Sequence, residues 1–327
     1  MLTKKRFLQA VITVISASSI LVLFTYLKVP TCDKTSELRY RVLGPLASTD
    51  IRLINHVRLN YLHPPSPLPY TLTNGVELMY TKFSKGGTWG YIQFHLEALF
   101  QHQKAGFFVE AGALDGEFFS NTLWLESSLG WSGLLVEPDR QSFRDLQKKH
   151  RRAWISNTCL SDQSYPKESV FISLHGRKSK TEILITGMLR GGGHEVGVTL
   201  PPEYEDKLHA DKLYTPVQCF PLTTYLLALN VTTVDFLSLD VQGSERDILK
   251  TVLWDLVKIR VMAVEIVDGT LDKDFIHYMA GKEYVLTNEK YAANITDYIF
   301  VRRDEKDLVK TARGIHYGAG SLIQLSV

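Results

Sequence analysis

Apolar positions divide this chain into an uninterrupted run, a broken stretch and a long region of alternating periods. The run comes first: no charged residue falls between Phe7 and Leu27. As a helix it would rise about 30 Å, enough to cross the core of a bilayer. Lys4, Lys5 and Arg6 precede it, and Lys28, Asp33 and Lys34 follow. The positive-inside rule therefore keeps residues 1–6 cytoplasmic and puts everything after Lys28 in a lumen or outside. Ser16, Ala17, Ser18 and Ser19 open the alternative of a cleaved signal peptide, but the apolar run continues through Ile20–Phe24, past the usual extent of a cleavable segment. The expectation is an uncleaved signal-anchor over residues 7–27.

Residues 28–87 read as a stem. His63-Pro64-Pro65-Ser66-Pro67-Leu68-Pro69 can continue neither a helix nor a central strand and should be extended. Ser48-Thr49-Asp50, followed by Ile51, Ile54, Val57 and Tyr61, predicts one short amphipathic helix within it.

From Thr88 the pattern alternates, and residues 88–327 read as one domain. Thr88 can cap a helix carrying Ile92, Leu96, Leu99 and Phe100 at helical spacing, which Gly106 ends. Phe107–Val109, Gly133–Val136 and Trp154–Leu160 predict three strands, separated by helices through Trp124-Leu125 and over Ser142–His150. Val170–Leu174 and Pro216–Phe220 read as added strands around an insertion with Gly187, Gly191, Gly192 and Gly193. Val234–Leu239, Val261–Val267, Tyr284–Leu286 and Tyr298–Val301 complete the strands, with helices after Leu239 and over Phe275–Met279. Strands apolar on both faces and alternating with helices imply an α/β domain with a mostly parallel, Rossmann-like sheet covered on both sides. In such folds ligands bind past the carboxyl ends of the strands, near the switch in strand order.

Composition narrows the function. A net charge of +2 with acids interleaved among the bases gives no nucleic-acid footprint. The basic cluster Lys148, Lys149, Arg151 and Arg152 reads as a solvated helix end. Asn230-Val231-Thr232 and Asn294-Ile295-Thr296 fit the N-glycosylation pattern, in agreement with a lumenal domain. The cysteines are three, too few for a disulfide scaffold. An oxidising lumen favours pairing two of them. Cys159 and Cys219 sit where neighbouring parts of the sheet can bring them together, leaving Cys32 in the stem; two buried thiols are the alternative. His175, His194 and His209 have no zinc spacing, so no metal is expected. The glycine-rich insertion reads as a substrate lid, because no Gly-Lys-Ser/Thr follows it.

The strand ends carry the candidate chemistry. The first strand runs into Glu110-Ala111-Gly112-Ala113-Leu114-Asp115-Gly116, where small residues allow a tight turn and close approach to a ligand. These glycines do not form the dinucleotide fingerprint G-x-G-x-x-G. The second strand ends at Glu137, placed to accept hydrogen bonds from ribose hydroxyls. Ser161-Asp162 follows the third strand, where it could meet an adenine edge or form an ordinary turn.

Glu110–Gly116, Leu135-Val136-Glu137-Pro138, Leu239-Asp240-Val241-Gln242-Gly243-Ser244-Glu245 and Val264-Glu265 together resemble, in order and content, the motifs of FkbM-type methyltransferases. Ser120–Glu126, Cys159-Leu160-Ser161 and Cys219-Phe220-Pro221-Leu222 resemble more narrowly the animal, Star-type branch, whose members are single-span type II proteins of the early secretory pathway. The resemblance implies a class I methyltransferase sheet and S-adenosylmethionine as cofactor. It puts Glu110, Gly112 and Asp115 around the methionine part, Glu137 on the ribose and Asp240 beside the methyl group. Asp240 or Glu245 would take the acceptor's proton. Where the family has an acid two positions after this aspartate, the chain has Gln242, which cannot act as a base. Two functions follow as expectations: O-methyl transfer to a glycan or lipid-linked hydroxyl in the endoplasmic reticulum or Golgi lumen, or a non-catalytic role in moving secretory cargo.

Overall fold

The computed structural model describes residues 45–72, 88–175, 191–198, 211–267, 272–292 and 295–316. The anchor, Cys32, Gly187, His209 and Asn294 lie outside the described residues. Among the described residues no helix is long and apolar enough to cross a membrane.

The elements, in chain order, are α1 (Ile51–Asn60), α2 (Thr88–Phe100), β1 (Phe107–Ala111), α3 (Leu123–Leu129), β2 (Ser132–Val136), α4 (Arg140–Lys149) and β3 (Trp154–Ser156). There follow β4 (Cys159–Leu160), β5 (Lys167–His175), β6 (His194–Glu195), β7 (Asp211–Phe220), α5 (Leu222–Ala228), β8 (Thr233–Leu239) and α6 (Glu245–Thr251). The last are β9 (Lys258–Ile266), α7 (Lys273–Gly281), β10 (Tyr284–Ala292), β11 (Ile295–Arg302) and α8 (Lys306–Arg313).

Seven strands form the main sheet in the order β10-β11-β9-β8-β1-β2-β3. The pairs from β3 to β9 are parallel, whereas β11 runs against both β9 and β10, so the sheet is mixed. Alternate residues of its strands feed two cores. One buries Val109, Leu237 and Met262 under α1, α5, α6 and α7; the other buries Phe108, Phe236 and Val261 under α2, α3, α4 and α8.

The run Trp154–Leu160, expected to be one strand, is divided. Trp154–Ser156 pairs with β2, while Cys159-Leu160 turns into a four-stranded second sheet of order β4-β7-β5-β6. Ser156 and Thr158 point their hydroxyls at each other at 2.9 Å, and Thr158 also bonds the buried Tyr225 hydroxyl. These buried polar partners fix the turn between the sheets.

Part of the expected stem belongs to the packed unit, which begins at Leu46. Asp50 caps α1 by accepting the Arg52 N–H at 2.9 Å. Leu53, Ile54 and Val57 then bury against the core, and Arg58 Nε donates to the Ala228 carbonyl at 2.6 Å. The proline segment forms neither helix nor strand beyond a single bridge at His63, as suits residues that cannot donate to a ladder. His63 exchanges backbone hydrogen bonds with Ile155 at 2.9 and 3.1 Å, covering the exposed side of β3.

The basic cluster at the end of α4 is not simply solvated. Lys148 pairs with Asp145 at the surface, but Lys149 reaches Glu117 at 2.5 Å from a buried position. Arg151 Nε lies 3.1 Å from Glu126 with both side chains fully buried. Buried cations of this kind need partners, and the acids of the preceding loop and helix supply them.

Candidate active site

Strand order reverses between β1 and β8, and the loops that leave these two strands touch. Gly112 follows β1 with φ +86°, and a Cβ there would lie 1.9 Å from the Asp240 carbonyl oxygen. Only glycine permits both this conformation and this approach. Asp240 N donates to the Ala111 carbonyl at 3.1 Å, and Gly112 N to the Val136 carbonyl at 3.0 Å. A cleft opens over these ends. Gly112 and Leu114 line it from β1, Glu137 and Pro138 from β2, and Asp240, Val241 and Gln242 from β8. The second sheet closes it with Leu160, Phe171 and Glu195, joined by Cys159, Gly191 and Gly193.

Glu137 is 2% exposed and held firmly. Its Oε2 accepts the Leu114 N–H and its Oε1 the Asp139 N–H, both at 2.7 Å. Each oxygen keeps acceptor capacity after these bonds. Burial raises the carboxyl well above its ordinary pKa, and the charges of Asp139 and Asp240 add to the rise, while the two N–H groups oppose it.

Asp240 is raised well above the ordinary range by burial, then by Glu265 and Glu245 beside it. Gln242 has φ +59° and is buried. Its Nε2 donates to Asp240 Oδ1 at 2.6 Å and lies 3.4 Å from Glu265 Oε1. Its own Oε1 is buried without a hydrogen-bond partner.

Other expected site residues are placed elsewhere. Glu110 is turned to the α2 side of the sheet, where it accepts from Ser120 Oγ at 2.8 Å, Asn121 N at 2.7 Å and Thr122 Oγ1 at 2.6 Å. Its carboxylate shapes the loop before α3 and does not line the cleft. Asp115 accepts from the N–H groups of Glu117 and Phe118, fixing its own turn. Glu245 folds back on the start of α6, accepting from Val241 N at 2.9 Å and Gly243 N at 3.0 Å, so the loop itself occupies its oxygens. Ser161 forms a turn, with its hydroxyl donating to the Tyr165 carbonyl at 2.8 Å. Asp162 pairs with Lys167 at 2.8 Å. Of the expected cofactor and catalytic residues, Gly112, Glu137 and Asp240 are the ones brought together.

Cys159 and Cys219 are register partners on β4 and β7 and form a disulfide, with Cα atoms 4.3 Å apart. Their sulfurs and a Glu195 oxygen lie within 4.8 Å of one another. That trio is not a free ligand set, since the sulfurs are joined and Glu195 accepts from Ser169 Oγ and pairs with Lys167. His194 is buried with Nδ1 3.0 Å from the Gly192 carbonyl, and His175 ends β5. Asn230 is exposed at the end of α5 with φ +57°, a conformation asparagine tolerates.

The strands of the main sheet keep the Rossmann order outward from β1 and add an antiparallel pair at one edge, the mixed sheet of class I methyltransferases. A family model described as the methyltransferase FkbM domain matches residues 110–292, more than half of the chain. The chain belongs to the FkbM methyltransferase family. Comparison with curated protein sequences gives no significant match. Among solved structures, TrmK of M. capricolum, in complex with the cofactor product S-adenosyl-homocysteine, is similar at 8% identity over 66% of this chain and 67% of that one, with a TM-score of 0.33. The METTL16 MTase domain is similar at 10% identity over 77% and 78%, with a TM-score of 0.35. The precorrin-6y C5,15-methyltransferase from Geobacter metallireducens follows at 13% identity over 65% and 87%, with a TM-score of 0.32. These likenesses are distant, and the family assignment stands on the model match.

The residues of this FkbM domain fit S-adenosylmethionine. The fixed Glu137 carboxylate has acceptor capacity for a ribose diol, and Pro138, Leu160 and Phe171 give apolar surface for a purine. Asp240, held at Oδ1 by the Gln242 amide, gives the cleft an acceptor suited to a cationic methionine end.

Pro138, Phe171 and Glu195 line the cleft without being among the site residues expected from the sequence. The acidic Asp297 within Ile295-Thr296-Asp297-Tyr298-Ile299 carried a signal, because a charge inside an apolar strand must have a reason to be buried.

Proposed function

We propose that this chain is an S-adenosylmethionine-dependent O-methyltransferase that modifies a hydroxyl on a glycan or lipid-linked acceptor. In this reading it is a type II protein of the endoplasmic reticulum or Golgi membrane, with its FkbM domain in the lumen. The observation that carries the enzymatic reading is the pair of acids facing one cleft. Glu137 is immobilised by two backbone N–H groups with acceptor capacity left over, and Asp240 stands across the Gly112 turn. The cofactor supplies an activated methyl group when bound. The protein's share is to hold it, align the hydroxyl and accept the hydroxyl proton at Asp240. The raised pKa of Asp240 suits it to that last task, because a stronger base removes a weakly acidic proton more readily.

Calorimetric titration with S-adenosylmethionine tests the reading. The wild-type protein should bind, Glu137→Ala should lose binding at least tenfold, and Asp240→Asn should bind while transferring no methyl group. A folded wild-type protein that does not bind the cofactor would refute it.

One observation supports a second reading, in which the fold is kept without catalysis and serves secretory cargo. Gln242, standing where the family has an acid, bonds Asp240 and so occupies one of its two oxygens. Export of a client unchanged by Asp240→Asn, with no methyl transfer in the wild type, would favour this alternative.

A further inference from the structure

Across the carboxyl end of the main sheet, one ionisable residue follows another from strand to strand. Lys290 on β10 is the register partner of Asp297 on β11, and Asp297 is the partner of Glu265 on β9. Leu239 pairs with Val264, which sets the next residue of β8's path, Asp240, beside Glu265. Gln242 ties these two together through its amide nitrogen. The row thus runs from the cleft to the edge strand of the sheet.

Its hydrogen bonding is incomplete in one direction. Asp297 is fully buried, and neither of its carboxylate oxygens has a hydrogen-bond partner; the Gln242 Oε1 is likewise buried and unpartnered. These orphans are all acceptors, so what the row lacks is protons or a cation. The surrounding charges supply few. Asp240 is faced by Glu265, Glu245, Glu110 and Glu137, Glu265 by Asp297 and Glu245, and Asp297 by Asp240, Lys290 and Tyr91. Arg151 is engaged with Glu126 and Gly116, Arg246 stands by Glu245, and His95 packs at a tilt against Tyr91. Lys290, at the outer end, is the cation that faces Asp297. Burial raises both Glu265 and Asp297 well above ordinary carboxyl values, and the neighbouring acids add to the rise, so each holds its proton to higher pH than a free carboxyl does.

We propose that Glu265 and Asp297 form a proton reservoir behind Asp240, giving up a proton when a positively charged methyl donor enters the cleft and recovering one when that charge is lost. The inference rests on the methyltransferase reading above and adds two residues to it. The balance closes. The acceptor oxygen forms a bond to the methyl carbon, the carbon–sulfur bond breaks with its electron pair going to sulfur, and the hydroxyl proton passes through Asp240 to the row. The donor's positive charge disappears as that proton arrives, so the total charge of the buried site is the same before and after transfer. Glu265 and Asp297 are positioning residues in this scheme, because they act through Asp240.

The test needs no acceptor. S-adenosylmethionine carries the sulfonium charge and S-adenosylhomocysteine does not, while the rest of the two molecules is shared. Calorimetry of the full chain in detergent, in buffers of different ionisation enthalpy, counts the protons released on binding each. The charged ligand should release about one proton more than the neutral one, and its relative affinity should therefore rise about tenfold per pH unit near neutrality. Glu265→Gln and Asp297→Asn, each checked for an unchanged melting transition, should shrink that difference towards zero while leaving S-adenosylhomocysteine binding in place. Should one of them fail to fold, the other decides. Equal proton counts for the two ligands in the wild type, or a difference that persists in the variants, would overturn the reservoir alone. Failure of both ligands to bind would overturn the cofactor reading and the reservoir with it.

Discussion

At the scale of single residues, the acids of the strand ends share one face of the sheet and divide by their depth along the strands. Glu137 and Asp240 meet the cleft, while Glu110 meets the loop before α3. Removing Glu110 strands the donors of Ser120, Asn121 and Thr122 and takes a negative charge from beside Arg151. Glu110→Ala should destabilise the domain by about 3–5 kcal/mol, the range for breaking a buried charged cluster. Urea unfolding measures this; an unchanged midpoint with lost cofactor binding would instead return Glu110 to the cleft. In the sequence these acids look alike, since each closes an apolar run before small or helix-starting residues. Glu110 pairs with Leu135 and Ser238 inside the sheet, whereas Glu137 and Asp240 lie just past the last paired residues, and the sequence does not say where a strand ends to within one residue. The same limit hid the burial of Arg151, whose partner Glu126 is distant in sequence and close only once α3 and α4 pack.

Elements show a second level of legibility. Apolar period made the strands and helices of the main sheet readable, because burial on both faces leaves unbroken runs such as Val234–Leu239 and Val261–Val267. It failed at Trp154–Leu160, where the run is continuous in sequence but the chain changes sheets around Asn157-Thr158. Hydrophobicity reports that a residue is buried, and not in which layer. The helix α1 was readable from its cap and spacing, yet its attachment to the core was not. Because Leu53 is 3% exposed and lies in the core under α5, Leu53→Ala should cost about 2–4 kcal/mol, as for other large-to-small core substitutions. Were this segment only a stem, the substitution would leave the melting temperature of the domain within measurement error.

Taken whole, the molecule holds its two ends of the sheet by different means. Near the start of α8, Glu305 bonds Arg260 at 2.9 Å and Lys258 at 2.7 Å. The Arg260 hydrogen bond chiefly lowers its pKa to about 2. A carboxyl depressed on folding adds stability above its unfolded value of about 4.3 and loses it as pH falls towards the folded value. The melting temperature of wild type should therefore exceed that of Glu305→Gln at pH 6, and the gap should close between about pH 4 and pH 2. A gap independent of pH would show that the pairing carries no folding free energy.

The second sheet is held by the disulfide instead. Cys159 sits on its entry strand and Cys219 on its exit strand, with a sequence separation of 60 residues. Closing a loop of this length stabilises by about 4 kcal/mol in the chain-entropy model. Reduction, or Cys219→Ser, should lower the melting temperature markedly, and unchanged thermal unfolding under reductant would refute that role. The bridge also makes the chain modular. The segment between the two cysteines is a loop tied off by a covalent stitch at the rim of the cleft, which Cys159 lines. Lengthening or rewriting its contents adds little loop entropy, roughly 0.6 kcal/mol for each doubling. Because this loop carries Phe171 and Glu195 to the cleft while Glu137 and Asp240 stay on the main sheet, one wall of the cleft can be reworked without touching the other. Under the methyltransferase reading proposed above, a chimera exchanging the segment between the cysteines should change the methyl acceptor and leave binding of the cofactor in place.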